Sequence, residues 1–217
     1  SARRCGLLRE EILSATSLSD NETFSKALKE LEQCGFIRKY TMIGNLKKGS
    51  MYQLMDNYTL FWFKFIGENK RGETHFWTSS LDTGVYDAWV GLAFERVCLQ
   101  HIEQIKKAMG LAIVISTAHS WNWKSPKGSK EPGVQIDLLI DRNDDTINLF
   151  EMKYSKSPYS LSSEELSKME YRKAVFKRET GVGKRIVLSM ITTFGLTDNA
   201  NAADVPVKLT MDDLFQS

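Results

Sequence analysis

The N-terminal quarter of the chain carries two helix-period stripes followed by two strand-like runs. Leu7, Leu8, Ile12 and Leu13 predict a short opening helix, and a turn follows at Ser14 to Ser19. Ser19 and Glu22 have the spacing of a capping box, and Phe24, Ala27, Leu28 and Leu31 form the apolar stripe of a second helix that Gly35 stops. Phe36 to Ile43 and Ser50 to Met55 are β-prone, and the basic, glycine-bounded loop Gly44-Asn45-Leu46-Lys47-Lys48-Gly49 closes them into a hairpin. Helix, turn, helix and basic-tipped hairpin make the layout of a winged helix, assigned to residues 1–56.

Residues 57–83 are dense in rings: Tyr58, Phe61, Trp62, Phe63, Phe65, Phe76 and Trp77, interrupted by the polar stretch Gly67 to Thr74. Rings of this size left in water form a patch that soluble monomers rarely tolerate, so the segment predicts a short helix packed between two halves. From Gly84 to Met109 the positions of Leu92, Leu99, Ile102 and Ile105 predict one long helix, ended by Lys106, Lys107 and Gly110. The β-branched run Leu111 to Thr117 predicts a buried strand. A polar loop bearing Trp121, Trp123, Lys124, Lys127 and Lys130 leads to Val134–Asp141, a turn at Arg142 to Asp145, and Thr146–Tyr154, which together read as a hairpin. Ser162 with Glu165 caps a helix to about Glu179, Gly181 and Gly183 end it, Arg185 to Thr193 is a further strand, and Val207 to Thr210 a last short one. Residues 84–217 thus order as helix, three strands, helix, strand, and the class is α+β. There is no internal repeat.

A chain of 217 residues accommodates two domains. Its 29 basic and 27 acidic residues leave a net charge of +2, so any attraction to nucleic acid is local. Cys5, Cys34 and Cys98 are odd in number and lack metal spacing, which fits free thiols in a reducing compartment, the cytoplasm. No apolar run approaches the ~18 residues that span a bilayer, and the N-terminus lacks the layout of a signal peptide, so no membrane role is expected. The first residue is Ser1 rather than Met, as in a processed protein, an excised fragment or a chain freed of a tag.

Candidate chemistry lies on the central hairpin. Period-two alternation places Glu151 and Lys153 on one strand face with Ile147 and Leu149. On the partner strand Asp137 interrupts the apolar run Ile136 to Ile140. Charges set among apolar residues need compensation. A divalent cation supplies it, because carboxylate oxygens are the hard ligands that Mg²⁺ or Mn²⁺ takes, and Lys153 would then orient or deprotonate a bound water. An ordinary hairpin in which Lys153 pairs with a carboxylate is the plainer alternative. Glu95 shares a helix face with Leu92, Leu99 and Ile102, so it points inward, as a third ligand or as one end of a helix-to-sheet ion pair.

Gly91-Leu92-Ala93-Phe94-Glu95, Gln135-Ile136-Asp137-Leu138-Leu139 and Leu149-Phe150-Glu151-Met152-Lys153 together resemble the PD-(D/E)XK nuclease superfamily, with Ile136 in place of the proline before the aspartate. The winged helix, Tyr58-Thr59-Leu60-Phe61-Trp62-Phe63 and the G-x-x-F-E helix narrow the likeness to the C-terminal region of a family of prokaryotic AAA-type ATPases, which end in a domain of unknown function with that core. The resemblance implies a restriction-endonuclease-like αβββαβ fold, an ATPase domain in the same full-length chain, and metal-dependent hydrolysis of nucleic-acid phosphodiesters, DNA above all. It also admits a nuclease fold kept as a binding or regulatory module. Lys47 and Lys48 on the wing, and Lys124 and Lys127 beside Trp121 and Trp123, are the candidate nucleic-acid contacts. Balancing them, the second helix mixes Glu22, Glu30 and Glu32 with Lys26 and Lys29, which suits protein docking as well as DNA. Gly181-Val182-Gly183-Lys184-Arg185 lacks the leading glycine and the trailing hydroxyl of a phosphate loop, so this chain carries no ATPase motif.

Overall fold

A computed structural model describes residues 6–41, 43, 49–67, 72, 75–81 and 83–216. The chain divides into two compact units, Ser1–Ala93 and Phe94–Ser217, and the fold is α+β with two sheets. In the first unit β1 (Leu7–Leu8) precedes α1 (Arg9–Thr16), α2 (Glu22–Gln33), β2 (Ile37–Tyr40) and β3 (Met51–Leu54). The three strands form an antiparallel sheet in the order β1-β3-β2. Leu7 and Leu8, expected to open a helix, are instead extended and pair with Tyr52 and Met51. Gly6 explains this: it holds a positive φ of 75° and lies so close to β3 that a Cβ would come within 2.5 Å of the Tyr52 carbonyl oxygen.

The cap of α2 also differs from expectation. Asn21, not Ser19, accepts the Phe24 amide at 2.9 Å, since either side chain is a good cap and Asn21 stands at the right offset. Phe24 and Leu28 are buried as the stripe predicts, and Gly35 closes the helix at φ +75°. Lys47 and Lys48 lie outside the described residues.

The ring-rich segment folds as α3 (Asn57–Phe61), a π-helical turn (Trp62–Ile66) and α4 (Phe76–Ser80), followed by α5 (Gly84–Gln100). Asp56 caps α3 by accepting the Thr59 amide at 2.6 Å. Phe61 and Phe65 meet Trp77 and Trp89 edge to face with centroids 4.8 to 5.8 Å apart, so these rings satisfy one another inside the first unit.

The second unit continues from the C-terminal part of α5 through α6 (Ile102–Ala108), β4 (Ser116–Trp123), β5 (Val134–Arg142), β6 (Thr146–Lys153), α7 (Ser163–Thr180), β7 (Arg185–Thr192), α8 (Ala200–Ala203) and β8 (Val207–Thr210). One five-stranded sheet has the order β4-β5-β6-β7-β8, antiparallel from β4 to β6 and parallel from β6 to β8. Its core gathers Ile136, Leu138, Leu139, Ile140, Ile147, Leu149, Phe150, Met190 and Ile191. Over the sheet, α7 buries Met169, Val175 and Phe176. The expected capping box is present, with the Ser162 hydroxyl accepting the Glu165 amide at 3.2 Å and the Glu165 carboxylate accepting the Ser162 amide at 3.3 Å.

Three expectations fail in this unit. The long helix breaks at His101, whose ring nitrogen lies 2.8 Å from the Val97 carbonyl and whose ring packs against Phe215. Leu111 to Ile115 is not a strand. Gly110 at φ +71° and the Val114 amide bonded to the Leu111 carbonyl make it a turn, leaving Ile113 95% exposed. Trp121 and Trp123 belong to β4 rather than to a loop: Trp121 is buried edge to face against Phe176 at 5.1 Å, and Arg178 lies over Trp123. Among the described residues, no helix is long and apolar enough to cross a membrane.

Candidate functional site

The antiparallel ladder between β5 and β6 runs from Asp141 opposite Ile147 to Leu138 opposite Phe150, and ends there. Asp137 precedes Leu138, and Glu151 follows Phe150. The two carboxylates are therefore the first residues past the last rung, one on each strand, while β6 stays paired to β7 as far as Lys153 opposite Thr192. On its other side β5 has His119 opposite Leu139 and Trp121 opposite Ile136, so Asp137 and Leu138 together face Ser120 alone. This is a β-bulge, a device that bends a strand and re-aims its side chains. Buried Ser120 donates its hydroxyl to the Asp137 carbonyl at 2.7 Å, supplying a bond where the ladder is irregular. The Asp137 carboxylate accepts from the Gln135 side-chain amide at 2.5 Å.

Glu151 attracts positive charge to both of its oxygens. Lys153 sits 3.0 Å from Oε1, and the Arg172 guanidinium of α7 donates to Oε2. The glutamate side chain is only 18% exposed, which makes this pairing more than a surface ion pair. Beside it, Tyr159 donates its hydroxyl to Glu165. Burial, then that bond, pushes the Tyr159 phenol well above its ordinary value. Burial pushes Glu165 up, but the hydrogen bonds from Tyr159 and Ser162 and the nearby Lys153 charge outweigh it and hold the carboxyl below the usual range.

Around Lys153 two buried hydroxyls, Thr192 opposite it and Ser155 two residues on, have no hydrogen-bond partner. Buried polar groups in folded proteins are satisfied almost without exception, so these two hydroxyls suit a water or ligand oxygen beside Lys153. A divalent cation fits this place in donor chemistry: Asp137 and Glu151 supply carboxylate oxygens, and the Arg172 guanidinium stands where the cation's charge would be. Among the described residues no three His, Cys, Asp or Glu side chains converge on one point. Two protein carboxylates completed by waters is a set that Mg²⁺ accepts.

Half-buried Glu95 stands on α5 near Arg96 and Cys98. Burial, then the Glu95 charge, pushes the Cys98 thiol well above its ordinary value, which disfavours the thiolate. Cys34 and Cys98 are free. Lys124 and Lys127 are exposed on the segment between β4 and β5. Lys184, from the glycine-rich stretch, pairs with Asp141 at 2.6 Å and donates to the Arg142 carbonyl, which ties it to the far end of the sheet.

Arg172, Tyr159, Glu165 as a site residue, and Ser120 are not among the residues that the sequence pattern singles out. A signal for Arg172 existed. Met169, Arg172 and Phe176 repeat at i, i+3 and i+7, the argument that turned Glu95 inward, applied to α7. Ser120 had none, because a bulge follows from pairing rather than from composition.

Fold and site together define an α+β protein whose five-stranded mixed sheet carries a carboxylate and cation cluster where two strands part. The chain belongs to a family described as archaeal and bacterial proteins of unknown function, DUF234, whose profile matches residues 62–173. No curated protein and no solved structure matches it.

Proposed function

We propose that the second unit is a Mg²⁺- or Mn²⁺-dependent nuclease-like domain acting on nucleic-acid phosphodiesters, carried on the C-terminal part of a prokaryotic AAA-type ATPase behind a winged helix. The observation that carries this reading is the position of Asp137 and Glu151, each the first residue beyond the last β5–β6 rung, with Lys153 two residues on. The element order supports it: helix, three antiparallel strands, helix, then a parallel strand corresponds to the αβββαβ core of the PD-(D/E)XK superfamily. The sheet order β1-β3-β2 around α1 and α2 supports the winged helix. In this reading Asp137 and Glu151 hold the cation, and Glu95, which the described residues do not bring together with them, is not a third ligand. The cation when bound polarises a phosphate oxygen and activates water, and Lys153 offsets the charge that develops on the phosphate. The winged helix, with Lys47 and Lys48, and the segment with Lys124 and Lys127 grip the nucleic acid backbone.

The test is a calorimetric Mn²⁺ titration of the chain and its Asp137→Ala variant, paired with DNA cleavage by wild type and Lys153→Ala. The expected result is saturable binding lost in the first variant and cleavage lost in the second. No Asp137-dependent binding, or cleavage that survives Lys153→Ala, would sink the nuclease reading. A second reading, a non-catalytic regulatory or docking module of the ATPase, is favoured by one feature. Both Glu151 oxygens already have cationic partners without any metal.

A further inference from the structure

We propose that Arg172 is a built-in competitor of the divalent cation at Glu151, displaced when the cation binds and then free to hold the substrate phosphate. This rests on the metal-dependent reading above and concerns the regulation of the same site. Arg172 lies on the sheet-facing stripe of α7 between buried Met169 and Phe176. An arginine directed there is stable only if paired, and its guanidinium donates to Glu151 Oε2 while Lys153 takes Oε1. With both oxygens engaged, an incoming cation must displace one partner.

Lys153 is placed beside Glu151 by their common strand. It is on the same strand as Glu151, two residues away, and β6 is paired to β7 through that position. Arg172 reaches across from α7, and its side chain, 34% exposed against 37% for Lys153, has room to swing outward; what sets it apart is that its backbone lies on a different element from Glu151. Nearby Glu165 is already engaged by Tyr159 and by Ser162, so it does not offer the freed guanidinium an idle carboxylate. A guanidinium released beside a cation-binding carboxylate presents the planar fork that matches two phosphate oxygens. The pair therefore keeps the site closed without cation and supplies a phosphate contact with it.

The decisive experiment is a Mn²⁺ titration of the full chain as wild type, Arg172→Gln, Arg172→Lys and Asp137→Ala, with circular dichroism to verify folding. Removing the competing charge should tighten Mn²⁺ about tenfold in Arg172→Gln, equivalent to about 1.4 kcal/mol. Arg172→Lys, which keeps the charge and is the safer variant for folding, should tighten it by a smaller factor because it lacks the fork. With Ca²⁺ present, DNA measured by fluorescence anisotropy should bind Arg172→Gln several-fold more weakly than wild type. Unchanged or weaker Mn²⁺ binding in both arginine variants, with Asp137→Ala still abolishing it, overturns the competitor and leaves the metal site standing. Absence of Mn²⁺ binding in wild type and both variants overturns the metal reading and the competitor with it.

Discussion

Glu165→Gln tests whether α7 is seated by the charge at its start, and so whether Arg172 is held over Glu151. The carboxylate makes three charge-assisted contacts: it accepts from the Tyr159 hydroxyl, from the Ser162 amide at 3.3 Å and from the Ser162 hydroxyl at 3.0 Å. Gln keeps the shape and an acceptor oxygen but no charge. Hydrogen bonds to a charged group are worth about 1–1.5 kcal/mol more than neutral ones when buried, and the charge at the helix N-terminus adds about 0.3–1 kcal/mol. Because Glu165 is only half-buried, the expected loss at neutral pH is about 1–2 kcal/mol. The sign with pH follows from the depressed carboxyl of Glu165. A group whose folded pKa is lowered stabilises the protein above its ordinary value, about 4.3 for glutamate, and loses that contribution as pH falls through the folded value. The gap between wild type and variant should therefore shrink toward zero in acid. Urea melts of both proteins at several pH values from 7 down to about 3 measure it. A gap that stays constant across that range would refute the electrostatic account and leave only a shape effect.

Two further outcomes are expected. Phe176 is fully buried against Trp121, so Phe176→Ala should cost about 3–5 kcal/mol, read as a lower denaturation midpoint at unchanged slope. A loss under about 1 kcal/mol would mean that α7 is not seated on β4 as described. If exposed Lys124 and Lys127 contact DNA phosphates, Lys124→Glu with Lys127→Glu should weaken DNA binding and reduce the slope of log affinity against log salt by about 2. An unchanged slope removes that segment from the interface.

Much of the second unit was legible because its signals are local. Ser162 and Glu165 announce α7, Gly181 ends it, and the alternation of β5 and β6 with a polar turn between them announces the hairpin. What failed depended on partners far along the chain. Leu7 and Leu8 are strand residues only because β3 lies beside them, and His101 breaks a helix whose periodicity continues past it. The run Leu111 to Ile115 was read by its β-branching, which says that such residues fit a pleated surface but not whether one is at hand. The bulge at Asp137 is the same case, since one slipped register between β4 and β5 decides it.

That difference bears on the site itself. Residue types and spacing identified Asp137, Glu151 and Lys153, and they carry a surplus of one negative charge. Closing that balance within the fold took Arg172, which lies on a different element. A cluster that reaches neutrality with its own arginine needs no metal to be stable, so stability alone does not separate a nuclease from a docking module built on the same sheet. What separates them is exchange. A catalytic site must let a divalent cation replace the guanidinium at an affinity near working concentrations, whereas a structural cluster keeps the arginine whatever the metal concentration. The response of Mn²⁺ affinity to substitution at Arg172 is thus more discriminating than the presence of the carboxylates.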